Sequence, residues 1–187
     1  MAYTYGTEEW ENAYQEMVKD RLAKVDKPYV MGSPEWVANF EKLVQTDETY
    51  KEVAKKWEGS VVIHMLANPP VGLNNDIYVF LDLWHGDCRF ARLVPKEIGE
   101  NADFVITGEL ERWESVLKKE LDVTKGLMQG KLKLKGSLPT IVRYVKASIR
   151  LVELAGEIDT VFFAQLSEEE RDAQIKLLGE LQSSLGL

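Results

Sequence analysis

Apolar positions in the first third of the chain recur every three to four residues. Trp10, Tyr14, Met17, Val18, Leu22 and Val25 predict an amphipathic helix over 7–27. The stretch KPYVMGSPEW ends it. Ser33 then stands where it caps a second helix, and Pro34 occupies a first-turn position, where its missing N–H costs nothing. Trp36, Phe40, Leu43 and Val44 give that helix one apolar face. A third helix opens at Thr46 or Asp47, turns Tyr50, Val53, Ala54 and Trp57 inward, and stops at Gly59. From there the period changes to two. The pattern predicts strands over 60–67, 76–85, 88–94 and 102–107, with a hairpin turn at Gly86-Asp87. Residues 110–121 return to helical spacing, and Asp122 caps a short helix running through Met128 and ending at Gly130. Over 131–135 leucine and lysine alternate, which sends Leu132 and Leu134 inward and three lysines outward.

After Pro139 a helix is predicted to about residue 155. Thr140, Arg143, Lys146, Arg150 and Glu153 fall within an arc of about 140°. The rest of its surface is apolar (Ile141, Val142, Tyr144, Val145, Ile149, Leu151 and Val152), a face wider than one packing contact requires. Ser167 and Glu170 form a capping box that opens a C-terminal helix to about residue 185. Its apolar stripe demands burial, while its first turn carries acids rather than cations, so it reads as a lid or docking element and not as a membrane anchor. No repeat or linker divides the 187 residues, so one α+β domain is expected: N-terminal helices over 1–59, a core over 60–155, and a helical extension over 156–187.

Charge refines this picture. The chain carries a net charge of −8, yet 123–152 holds seven Lys or Arg and no acid. An acidic protein repels polyanions, which argues against nucleic acid as a partner, while a local cationic strip can hold one small anion. The single cysteine, Cys88, excludes an internal disulfide. No apolar run approaches the ~18 residues of a membrane span, and the start lacks a signal-peptide pattern. Cytoplasmic localisation is the expectation.

Catalytic parts are scarce. There are two histidines, His64 and His85, and no GxSxG, P-loop, GxGxxG or HExxH motif. His85 and Cys88 straddle a turn, but no second pair completes a metal site. His64, between Ile63 and Met65 in a strand, reads as a hydrogen-bonded structural histidine. Asp82, alone in an apolar strand, calls for Arg89 or Arg92 as its partner on the facing strand. No enzyme activity, metal or cofactor is expected.

The order of elements, with ADFVITGELERWESVLKKELDVTKGLMQGKLKLKGSL at its centre, resembles the sterol carrier protein 2 (SCP-2) family of lipid-binding domains. The resemblance runs over about residues 60–148, and its most specific piece is Gly130-Lys131-Leu132-Lys133-Leu134-Lys135-Gly136. It implies a five-stranded, mostly antiparallel sheet covered by helices, an apolar tunnel between the layers, and binding of fatty acids, acyl-CoAs, sterols or other lipids without catalytic residues. The helices at both ends extend that minimal domain, and the final SSLGL is not a peroxisomal tripeptide.

An intracellular lipid-binding or transfer protein is therefore expected, holding a fatty acid, acyl-CoA, isoprenoid or sterol-like ligand. The alternative is a non-catalytic accessory module that presents a lipid intermediate to a partner enzyme. Candidate lining residues are Leu127, Met128, Gln129, Ile141, Val145, Trp84 and Phe104, with Arg143 and Lys146 placed to attract a headgroup. The aromatic stripe Trp10, Tyr14 and Trp36 serves either the core or, in a homodimer, a partner surface.

Overall fold

A computed structural model describes residues 2–187. In chain order the elements are α1 (Glu8–Lys24), β1 (Tyr29–Val30), α2 (Pro34–Thr46), α3 (Glu48–Val53), β2 (Glu58–Met65), β3 (Ile77–Trp84), β4 (Asp87–Leu93), α4 (Lys96–Glu100), β5 (Phe104–Gly108), α5 (Leu110–Leu117), α6 (Val123–Met128), β6 (Lys133–Lys135), α7 (Leu138–Arg143), α8 (Val145–Gly156), β7 (Thr160–Val161) and α9 (Glu168–Leu185). Local chemistry starts most of the helices. The side chains of Ser33, Asp47, Asp122 and Ser167 accept hydrogen bonds from the backbone N–H groups of Trp36, Tyr50, Lys125 and Glu170, and the Ser167–Glu170 box closes reciprocally.

Five strands form one sheet in the order β4-β3-β2-β5-β6, and only the β2–β5 pair is parallel. The hairpin between β3 and β4 turns at His85-Gly86 rather than Gly86-Asp87. Both residues have positive φ (50° and 86°), which a two-residue turn between right-twisted strands requires. A Cβ at Gly86 would also stand 2.5 Å from the Lys51 carbonyl oxygen. One residue later the ladder slips, with Leu83 opposite Cys88 and Asp82 opposite Phe90, so Arg89 bulges and its guanidinium reaches Asp82 at 2.9 Å.

The open edge of β4 does not face water with bare N–H groups. Ala91 N–H donates to the Glu41 carboxylate at 2.8 Å and Leu93 N–H to the Tyr14 hydroxyl at 2.9 Å, so α1 and α2 cover the edge. Trp10, Tyr14 and Trp36 are all buried in this packing and present no partner surface. The main core lies between the inner sheet face and the helices, and a smaller one lies outside, where Ile98 of α4 covers Val62, Tyr78 and Val105. On that outer face His64 is held between Thr107 Oγ1 (2.9 Å) and the Asp76 carboxylate (2.7 Å) and stacks on Tyr78.

Two further features depart from the sequence reading. The helix expected from Pro139 to residue 155 breaks at Tyr144, whose hydroxyl donates to the Lys56 carbonyl at 3.0 Å while its ring packs edge-on against Trp57. A second, parallel pair, β1 with β7, ties the segment before α2 to the segment after α8. α9 packs on α1 and beside β3 and β4; Trp10 Nε1 donates to its Leu185 carbonyl at 2.9 Å. None of its residues lines the cavity described next.

Candidate ligand cavity

A void of about 100 Å³ lies between the inner sheet face and the helical layer. Alternation in the strands builds its floor, because Val61, Ile63, Met65, Leu81, Leu83 and Ile106 all point to one side of the sheet. α7 and α8 form the cover through Ile141, Tyr144, Ala147, Ser148 and Leu151. One flank comes from α2 and α3 with Trp36, Phe40 and Tyr50; the other comes from α5 and α6 with Trp113, Val116 and Val123. No charged side chain lines it. A second space of about 230 Å³ shares Val116, Val123, Ser148 and Val152 with the first and adds Lys119, Asp122, Ile149 and Glu153. The two together make an apolar chamber with a more polar approach between α5–α6 and α8.

The cover is light. α7 and α8 are short and meet at the Tyr144 break, and Val142 and Ile149 stay exposed. One clamp fastens it to α3. The Arg150 guanidinium contacts both Asp47 oxygens, at 2.6 and 2.8 Å, and also Glu153 at 3.0 Å. The hydrogen bonds from Arg150 outweigh the opposing effect of burial and, helped by a weaker one from the Tyr50 backbone, hold the Asp47 carboxyl below its ordinary value. A void of about 100 Å³ has room for a group of about ring size.

Of the residues singled out from the sequence, Ile141 lines the cavity. Val145 precedes Ala147 on α8 but lies outside the wall, as do the partly buried Leu127 and the exposed Met128 and Gln129. Phe104 is buried against Trp57 beyond one end of the wall, and Trp84 lies on the outer sheet face, 41% exposed beneath Arg89. Arg143 and Lys146 are exposed and separated by the Tyr144 break, while Arg150 of the same expected arc is taken up by Asp47 and Glu153. Leu132 and Leu134 face the core as the alternation predicts. Tyr50, Trp113 and Val116 were legible as inward-facing but not as cavity wall, and Ala147 and Ser148 carried no signal of their own.

Burial is the main reason that two groups near the cavity have shifted titration: it raises the Tyr50 phenol above its ordinary value and pushes the Cys88 thiol up to about 12. Both are neutral at physiological pH. Among the described residues no three His, Cys, Asp or Glu side chains converge as a metal site, and no helix is long and apolar enough to cross a membrane.

The family model of the SCP-2 sterol transfer family matches residues 40–147, which contribute the sheet and most of the cavity wall. The fold is similar to that in a crystal structure of sterol carrier protein 2, at 35% identity and a TM-score of 0.63, covering 68% of this chain and 98% of the other. It is also similar to a conserved hypothetical protein of Thermus thermophilus, described as possibly a sterol carrier protein, at 33% identity and a TM-score of 0.64, covering 73% and 94%. Comparison with curated proteins gave no match.

Proposed function

Because the chain belongs to the SCP-2 sterol transfer family, we propose that it is a lipid carrier that shelters one apolar guest beneath α7 and α8 and does no chemistry on it. The observation that carries this reading is the wall itself: a chamber in a fully formed core, lined by aromatic and aliphatic side chains and free of charge. Packed interiors rarely keep spaces larger than a water molecule. Each methylene of a guest moved from water into such a space contributes about 0.8 kcal/mol, so a chain of modest length binds with little polar recognition. Met31 and Met65 on the wall adjust their shape to an irregular guest at low cost.

Release follows from the same geometry. The cover moves as two short helices about Tyr144, and the Arg150–Asp47 clamp resists that motion. Titration with Nile red or another uncharged apolar dye is expected to saturate at about one molecule per chain, and a long-chain lipid should displace it. A folded protein that binds none of a series of apolar molecules would overturn the proposal.

A further inference from the structure

The polar groups on the cavity wall can be followed one by one. The Trp57 indole N–H donates to the Gly59 carbonyl at 2.9 Å, that of Trp113 to the His64 carbonyl at 3.1 Å, and that of Trp36 to Thr160 Oγ1 at 2.9 Å. The Tyr144 hydroxyl is committed to the Lys56 carbonyl. Two hydroxyls on the wall remain without a protein partner among the described residues, those of Ser148 and Tyr50. Ser148 is half-buried where the chamber meets its approach, and water can satisfy it there. Tyr50 is 1% exposed, on the opposite flank.

A hydroxyl sealed away without a partner is costly, and folded proteins contain few of them. Among the described residues the only fully enclosed, unpartnered side-chain polar atom is Arg171 Nε. The Tyr50 oxygen, also unpartnered, is therefore not fully enclosed, and Tyr50 stands in the chamber wall. With no cation on the wall, an ionised carboxylate carried to this depth would lose its hydration and gain at most one hydrogen bond. A neutral oxygen loses far less, and the phenol, kept protonated by burial, is ready to donate to it.

We infer that Tyr50 is a specificity-determining residue and that the guest is an uncharged, mainly hydrocarbon molecule whose hydroxyl or carbonyl oxygen is carried inward to accept a hydrogen bond from the Tyr50 hydroxyl. The inference rests on the carrier reading above and adds to it the class of guest and its orientation. Ser148 at the approach does not read the oxygen.

The test is displacement of Nile red by dodecane, 1-dodecanol and laurate from the full chain and from the variants Tyr50→Phe and Ser148→Ala. Tyr50→Phe should weaken dodecanol about five- to tenfold, the value of one hydrogen bond, and change dodecane by less than about twofold. Ser148→Ala, on the same wall, should change dodecanol and dodecane by the same factor. In the unmodified chain, laurate at about pH 8 should compete at least about tenfold less well than dodecanol. The thermal midpoint of Tyr50→Phe should not fall, because the hydroxyl it loses has no protein partner. Equal losses for alcohol and alkane in Tyr50→Phe, no loss for either, an alcohol-selective loss seen only in Ser148→Ala, a lowered midpoint, or laurate matching dodecanol would each overturn the assignment. If dodecane binds and only the discrimination is missing, the carrier reading survives and Tyr50 loses its role. If neither dye nor alkane binds, both readings fall.

Discussion

Ala147→Leu tests whether the space under α8 is a chamber or a tightly filled core. Ala147 is 5% exposed and lines the cavity from its cover. Leucine adds three carbons to a void of about 100 Å³ and is nearly as good a helix former as alanine. If the space is open, burying three carbons at about 0.8 kcal/mol each should stabilise the fold by about 2 kcal/mol. A guest then loses the same volume, about three methylene positions, and its affinity falls by a similar free energy, about fiftyfold. Stability and affinity thus move in opposite directions. Urea unfolding gives the first and Nile red titration the second. If the region is instead well packed, the added carbons force strain, and overpacking costs about 1–3 kcal/mol. A destabilised variant with unchanged dye affinity would therefore refute the cavity.

Other perturbations follow from single contacts. Asp47→Asn keeps a cap for α3 but removes the bidentate clamp on α8; it should cost about 1–2 kcal/mol at neutral pH and speed guest release in stopped-flow dilution. Because the Asp47 carboxyl titrates below its ordinary value in the fold, the clamp's contribution is fully present above about pH 4 and is lost as the pH falls through the folded value, so the stability gap between Asp47→Asn and the parent should close in acid. Arg21→Ala leaves Glu35, which is 0% exposed, without the guanidinium at 2.8 Å; a loss of about 3–5 kcal/mol is expected in denaturant unfolding. The Cys88 thiol, pushed up to about 12 by burial, should react with a disulfide reagent near pH 8 only as fast as the protein opens, and rapid labelling of the folded chain would contradict its placement.

The elements most legible in the sequence are those whose signals are local. Ser33, Asp47, Asp122 and Ser167 each cap the helix they precede, because a short polar side chain beside a first-turn N–H needs nothing from the rest of the fold. Alternation through Lys131 to Lys135 likewise placed Leu132 and Leu134 on the core side. The break at Tyr144 has no such signal. No Gly or Pro marks it; the hydroxyl contact to Lys56, 88 residues away, is made only in the assembled fold. β1 and β7 have two residues each, too few for a period of two to show. At the hairpin, His85 adopts a positive φ that its residue type does not announce, with its ring held by Glu58 at 2.7 Å.

The cavity is harder to read for a different reason. Hydrophobic spacing says which side of a helix is buried, and on that ground Trp36, Phe40, Tyr50, Trp113 and Ile141 all face inward. It does not say whether the space they face is filled, since a chamber is the mismatch among several faces and belongs to no one segment. The cationic stretch shows the same limit for charge. Along the chain, Arg150 is the last of seven cations with no acid among them, which reads as a field aimed at an anion. In the fold its partner is Asp47, 103 positions earlier, and Lys135 Nζ donates to the Glu100 carbonyl on the outer side of the sheet. The chamber wall has no cation, and the one lysine at its approach, Lys119, shares it with Asp122 and Glu153. A field from this strip at the buried end would have to cross a charge-free interior after two of its members had already been drawn to local partners. Discrimination at that end therefore falls to the neutral hydroxyl of Tyr50, which acts only over hydrogen-bond range and rewards an oxygen without requiring its charge.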